Sequence, residues 1–257
     1  MIFYVLAGLV GLALGSFANV VITRLPLCEQ IWAGRSRCPF CHVALPWYDN
    51  LPLLSYLRLR GHCRFCGMAI PWRYPLVEMA GGLLVLVLWS RFPFDTILIA
   101  YVPFGMALLA LSVIDLEHRL LSDAITLPGL GLGLVLALAL PHISFLQAAG
   151  GAVLGSFLLF GVGWLYQRLR GRRGLGGGDV KLMAMIGAFL GAAAIPLVIF
   201  FSAAMGCVAG FALAVVQGRW RQGQWQSLRI PYGPFLAAGA IIYLLAGDSL
   251  LRMLGGS

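Results

Sequence analysis

LMAMIGAFLGAAAIPLVIFFSAAMGCVAGFALAVVQG, residues 182–218, runs for 37 residues without a charge. A helix needs about 20 apolar residues to cross a hydrocarbon core of roughly 30 Å, so this run is too long for one crossing and is read as two. Gly191 and Pro196 supply the turn between them. Working outward by the same criterion places spans near 2–22, 76–92, 96–114, 124–140 and 145–166. The divided run gives 180–191 and 194–216, and a last span lies near 232–247. The fold class expected is an all-α polytopic membrane protein of about eight transmembrane helices. A composition of 257 residues that is 61% apolar and 11% charged excludes an ordinary soluble enzyme, whose apolar share is about half.

A formal charge of +9 would suggest a polyanionic partner in a soluble chain. In a membrane protein, Lys and Arg instead mark the cytoplasmic loops, so the excess is topological and no nucleic-acid partner is expected. With the N-terminus outside the cytoplasm, alternating spans put all 18 basic residues inside except Arg91 and Arg252. Basic side chains near span ends also attract anionic lipid headgroups. No small-residue cleavage pattern follows the first apolar stretch, so Met1 to Ile22 is expected to remain as the first helix. The organisation expected is a first span over 1–22, a cytoplasmic insert over 23–75 and a helical bundle over 76–257. No internal repeat and no disordered tail are expected.

The insert carries Cys38-Pro39-Phe40-Cys41 and Cys63-Arg64-Phe65-Cys66, with 21 residues between the pairs. Two Cys-x-x-Cys knuckles let four thiolates converge on Zn²⁺ at about 2.3 Å each, and Gly67 suits the tight turn that follows the second pair. Two disulfides or a redox dithiol are the alternatives, disfavoured because thiols on the cytoplasmic side stay reduced. His42 and His62 flank the knuckles but are not needed to close a four-cysteine site, and Cys28 and Cys207 are assigned no role. Pro46, Trp47, Tyr48, Pro52, Pro71, Trp72 and Tyr74 point to a compact, loop-rich module at the membrane interface. A core of this size is small, so the metal's first role is structural.

Carboxylates at membrane depth cost roughly 2.5–3.5 kcal/mol at a span centre, so each is a functional candidate. Asp115 ends the third span and Asp179 opens the sixth after Gly176-Gly177-Gly178, both at the cytoplasmic face in this topology. Like-charge repulsion between them would leave one carboxylate and one carboxylic acid at neutral pH. The first can take a proton from water attacking a peptide carbonyl, and the second can donate to the developing oxyanion. Alternatively both are interfacial end residues, Asp179 being favoured at a helix N-terminus by the macrodipole. Glu117 and Asp123 rival Asp115, although Asp123 also reads as a helix cap. Glu78 is placed to pair with Arg73 or Lys181, and Lys181, the only lysine, suits headgroups or an acidic group of a substrate. A phosphate loop at residues 174–181 is rejected: the Walker spacing is absent and Asp179 would repel phosphate.

Taken in order, these motifs resemble the type IV prepilin peptidases. The matching pieces are Gly15-Ser16-Phe17-Ala18-Asn19-Val20 with Arg24-Leu25-Pro26, the two Cys-x-x-Cys pairs, Arg73-Tyr74-Pro75-Leu76-Val77-Glu78, Ile114-Asp115-Leu116, Gly176-Gly177-Gly178-Asp179-Val180-Lys181-Leu182 and Pro231-Tyr232-Gly233-Pro234-Phe235. Intramembrane aspartyl proteases of the presenilin type share Gly-x-Gly-Asp alone; the full ordered set is specific. The resemblance implies a multi-pass enzyme of the bacterial inner membrane that removes the short basic leader of prepilins and pseudopilins. It then methylates the new N-terminal amine with S-adenosylmethionine. It also implies Asp115 and Asp179 as the catalytic pair and Cys38, Cys41, Cys63 and Cys66 as zinc ligands, while no methyl-donor pocket is recognisable. Leu120-Leu121-Ser122-Asp123 departs from the family's frequent Leu-Pro-Asp and puts the local loop geometry in question.

Two other classes compete. A transporter would also carry intramembrane carboxylates, but at the midplane and in paired interrupted helices, which this sequence lacks. A non-enzymatic assembly factor docking partners through its zinc insert would tolerate loss of both aspartates.

Overall fold

The computed structural model describes residues 1–32, 34–140, 143–171, 174–216 and 230–253, with backbone alone from 248. Five basic residues of the topology argument, Arg172, Arg173, Arg219, Arg221 and Arg229, lie outside the described residues, as does the side chain of Arg252. The elements in order are α1 (Ile2–Arg24), α2 (Leu54–Arg58), α3 (Arg73–Arg91), α4 (Leu98–His118), α5 (Asp123–Ala139), α6 (Phe145–Arg170), α7 (Gly177–Leu190), α8 (Ala194–Val216) and α9 (Gly233–Met253). No strand occurs among the described residues; the only β pairing is two isolated bridges in the insert.

All eight expected apolar segments are helical, but they do not all reach the length of a span. Five, α1, α3, α4, α6 and α8, are long and apolar enough to cross a membrane, whereas α5 and the described apolar part of α9 are shorter. α7 has 14 residues. The turn expected inside the long charge-free run is present at Gly191 but not at Pro196: α7 is capped by Gly191 at φ +79°, a conformation that favours glycine, while α8 starts at Ala194 and takes in Pro196 as its third residue, a first-turn position that needs no amide donor. α4 continues one turn past its expected end, so Asp115 lies inside the helix rather than at its tip. α6 opens with a reciprocal capping box between Ser144 and Gln147 and closes at Gly171 in the left-handed conformation.

The chain forms two compact units, Met1–Ala110 and Leu111–Ser257, the division falling within α4. In the first, α1 packs along α3. A Cβ on Gly11 would lie 2.6 Å from the Gly81 carbonyl oxygen, and one on Gly15 would lie 2.7 Å from Glu78 Cα. The two backbones touch, as small residues allow where lipid offers no hydrophobic drive to association. In the second unit α7 is the central helix, packed by α6 and α5, while α8 pairs with α9. Every residue of α7 from Leu182 to Leu190 is buried. Gly187 on α7 and Gly151 on α6 leave no room for a Cβ on either.

Candidate active site and metal centre

Burial sorts the carboxylates that sequence alone left in competition. Among the described residues the buried carboxylates are Asp49, Asp115 and Asp179. Glu117 and Asp123, the rivals of Asp115, are exposed. Asp123 is not the cap of α5 either: Ser122 is, its hydroxyl accepting from the Ala124 N–H at 3.3 Å. Asp123 is the first helical residue, and both its oxygens accept from Lys181 Nζ at 2.6 and 2.7 Å, joining α5 to α7. Lys181 therefore pairs with Asp123, not with Glu78.

Asp115 and Asp179 both belong to the second unit and lie within mutual electrostatic range. No Lys or Arg among the described residues pairs with either. Each is held by one backbone amide. Asp179, third residue of α7, accepts from the Gly176 N–H at 3.1 Å, the back-reaching half of a capping box whose other half a glycine cap cannot supply. Asp115 Oδ2 accepts from the Gly233 N–H at 2.9 Å, at the first residue of α9. A Cβ on Gly233 would stand 2.7 Å from that oxygen, so glycine permits the approach. Tyr232 lies within electrostatic range of Asp179 and shares a 2.7 Å hydrogen bond with Ser202 of α8.

Of the glycines before Asp179, Gly178 packs closely, whereas a Cβ on Gly177 would meet nothing within 4 Å. A Cβ on Gly178 would stand 2.8 Å from Leu121 Cβ, so the connection between α4 and α5 seats against the start of α7. The Leu121-Ser122 variant of the loop thus carries a packing contact and a hydroxyl cap. Sequence reasoning assigned no role to Gly233. Its signal was the Gly-Pro pair opening an apolar run, where glycine admits a close neighbour and proline at an early helical position leaves one amide fewer to satisfy.

In the first unit the sulfurs of Cys38, Cys41, Cys63 and Cys66 all lie within 4.8 Å of one another. Four sulfurs at about 2.3 Å from a tetrahedral Zn²⁺ are about 3.8 Å apart. The separation of Cys38 Sγ from Cys66 Sγ is 3.8 Å, so the donor set fits the ion. Backbone N–H groups of Cys66 and Phe65 lower the Cys63 thiol to about 7, which makes a thiolate available at neutral pH. The Met68 amide also favours ionised Cys66, but desolvation and the sulfurs of Cys63, Cys41 and Cys38 outweigh it and push that thiol up to about 11. Four such neighbours ionise together only with a cation among them. His42 and His62 stand outside the cluster, His62 Nδ1 sitting 2.7 Å from the Arg60 carbonyl. Cys28 and Cys207, the two assigned no role, are both exposed, Cys207 on α8.

The expectation of no internal repeat is corrected here. Residues 37–47, RCPFCHVALPW, and 62–72, HCRFCGMAIPW, are identical at six of eleven positions with an offset of 25. Their backbones agree too. The Cys38 N–H donates to Val43 O and Cys63 N–H to Met68 O; His42 N–H returns to Cys38 O and Gly67 N–H to Cys63 O. Bridges join Arg37 to Ala44 and His62 to Ala69. The residue after each second cysteine has positive φ, +57° at His42 and +69° at Gly67. Two eleven-residue knuckles carry no helical periodicity, and their five differing positions leave the shared pattern to the cysteines and a Phe, an Ala and a Pro-Trp pair.

Between the knuckles a 3-10 turn (Trp47–Asp49) and α2 complete the insert. Arg64 binds Asp49 with both arms of its guanidinium, at 2.6 and 2.7 Å, and the Asp49 side chain is 1% exposed. This hydrogen-bonded pair holds the Asp49 carboxyl below the usual carboxylate range, against the opposing effect of burial. Glu78 on α3 accepts from the Leu53 N–H at 2.9 Å and from the Ser16 hydroxyl, tying the insert to α3 and α1. Leu53 meets it with φ +59°. Arg73 donates to Thr23 Oγ1 at 2.9 Å and lies over the Tyr74 ring.

Comparison with known proteins agrees with this picture. Residues 9–92 match the bacterial peptidase A24 N-terminal domain, and residues 102–211 match the type IV leader peptidase family. A prepilin leader peptidase/N-methyltransferase of Stutzerimonas stutzeri is 37% identical over 96% of this chain and 92% of its own length. Those of Pseudomonas aeruginosa and Aeromonas hydrophila are 38% and 36% identical, over 95% and 98% of this chain and 90% and 93% of theirs. No solved structure is significantly similar. The matched regions include both aspartates and all four cluster cysteines, and the chain belongs to the type IV leader peptidase family of prepilin leader peptidase/N-methyltransferases.

Proposed function

We propose that this protein cleaves the basic leader from prepilins and pseudopilins with Asp115 and Asp179 as its catalytic pair, then N-methylates the residue that cleavage exposes. The observation that carries the peptidase reading is the pair itself: two buried carboxylates in electrostatic range, each held by a backbone amide and neither paired with a cation. Two other carboxylates are built differently, Asp49 on Arg64 and Asp123 on Lys181. In this reading the catalytic two share one proton at neutral pH. The ionised member takes a proton from water as its oxygen adds to the scissile carbonyl. The protonated member donates to the carbonyl oxygen, and the proton taken up is returned to the leaving nitrogen.

In this reading Cys38, Cys41, Cys63 and Cys66 hold one structural zinc that fixes the two knuckles of the insert, residues 23–75. The enzyme is placed in the bacterial inner membrane with its N-terminus periplasmic and the insert and aspartates cytoplasmic, on the distribution of basic residues. S-adenosylmethionine, when bound, supplies the methyl group. The test of the peptidase reading is mass spectrometry of a prepilin incubated with purified wild-type, Asp115→Asn or Asp179→Asn protein. Each substitution is expected to slow leader removal by roughly a thousandfold or more, since groups acting as a unit fail together. Cleavage by either variant at the wild-type rate, with circular dichroism unchanged, would discard the aspartate assignment.

A further inference from the structure

The first unit holds a half-open cavity of about 420 Å³, whereas the buried aspartate pair belongs to the second unit. Its walls come from α1, the start of α3 and the insert. Small-molecule sites occupy about 300–1,000 Å³, so the cavity suits a nucleoside-sized ligand and is too small for a peptide helix. Tyr56, Tyr74 and Ile70 give it aromatic and apolar walls against which a flat heterocycle can stack, and Ser16, Asn19 and Glu78 bring polar groups to the same space.

Two of those groups are incompletely satisfied. Asn19 is 3% exposed; its amide donates to the Tyr74 carbonyl at 3.0 Å, and its Oδ1 has no hydrogen-bond partner. A buried acceptor left so is disfavoured until a donor reaches it. Glu78 has neutral partners alone among the described residues, the Leu53 amide and the Ser16 hydroxyl. Of the other carboxylates on the wall, Asp49 is paired with Arg64 and Glu29 is exposed. Glu78 is thus the half-buried carboxylate of the wall, beside a hydrophobic surface of nucleoside size, while Arg24 and Arg37 line other parts of the cavity.

We propose that this cavity is the methyl-donor site, binding the S-adenosyl group against its aromatic wall with the sulfonium facing Glu78. The assignment rests on the methyltransferase reading above and adds where, and by which charge, the donor is held. A sulfonium is a fixed cation without N–H donors, so a nearby carboxylate holds it through charge alone, most strongly where water is excluded. On transfer the methyl carbon bonds to the lone pair of the neutral N-terminal amine as its bond to sulfur breaks. The electron pair stays on sulfur as an uncharged thioether, and a proton leaves the product nitrogen to water. Glu78 then faces a neutral group, which weakens the hold on the product.

The experiment compares binding of S-adenosylmethionine with that of its uncharged product, S-adenosylhomocysteine, to the full-length protein in nanodiscs. Wild type is expected to prefer the sulfonium. Glu78→Gln, which keeps an acceptor for Leu53, is expected to lose about tenfold in affinity for S-adenosylmethionine, the equivalent of one modest charge pair, and to change little for the thioether. Leader removal and zinc content of the same sample report its folding. An azido-adenosyl photolabel on wild-type protein, mapped by mass spectrometry, is expected on residues of the 16–78 stretch, and it decides the location even if Glu78→Gln misfolds. An unchanged preference in a folded variant, or label confined to 111–257, would overturn the site while leaving methyl transfer intact. Absence of binding by active wild type would overturn the methyltransferase reading with it.

Discussion

Gly233 shows how one missing carbon positions a carboxylate. Its N–H reaches Asp115 Oδ2 at 2.9 Å, and a methyl group on its Cα would collide with the same oxygen. Gly233→Ala should leave the helices intact yet displace Asp115, and about a tenfold to hundredfold loss of leader removal is expected, the scale on which a lost positioned hydrogen bond acts. Kinetics on a prepilin, with thermal melting as the control, check it. The sequence made Asp115 and Asp179 legible because a charge beside an apolar run stands out. Gly233 was not, because a backbone donor leaves no mark in residue type and its acceptor is 118 positions away. For the same reason Asp123 and Lys181 stand out singly in the sequence, while their pairing exists only once α5 and α7 are brought together.

Among the elements, the insert and α7 carry opposite kinds of stability. The insert leans on charge-assisted bonds and thiolates. Because Arg64 depresses the Asp49 carboxyl, its contribution is present above the unfolded carboxylate value of about 3.9 and is lost as pH falls through the lower folded value. Asp49→Asn should therefore lower the melting temperature of the zinc-loaded protein at pH 7, and the difference from wild type should vanish in strong acid. α7 depends instead on backbone contact. Gly187→Val, with no space against Gly151, should destabilise the α6–α7 pair by on the order of 3 kcal/mol, seen as a lower melting temperature in detergent. Helix existence was readable from charge-free runs, and the turn at Gly191 from a single residue. Span length was not: α7 lies entirely among other helices from Leu182 to Leu190, so its apolar sequence reports burial in protein and looks the same as burial in lipid.

At the scale of the whole molecule, the two chemistries are assigned to different compact units, Asp115 and Asp179 to Leu111–Ser257 and the cavity to Met1–Ala110. Asp179→Asn protein should accordingly still methylate a pilin that already lacks its leader. The readout is a mass increase of one CH₂ group on the N-terminal peptide, dependent on S-adenosylmethionine. Failure on a well-folded sample would tie methyl transfer to the aspartates. Composition announced a membrane protein at once, because 11% charge cannot cover a soluble surface. The cavity stayed hidden because residues as distant as Ser16, Tyr56 and Glu78 line it without a shared motif.

The brevity of α7 shapes the surroundings of the aspartates. Fourteen residues rise about 21 Å, some 9 Å less than the oily interior of a bilayer. Since α5 and α6 pack along α7, protein rather than lipid surrounds Leu182–Leu190. Hydrolysis needs water at the bond it breaks, and at an end set back by that shortfall water would have to come between helices, because acyl chains do not carry it.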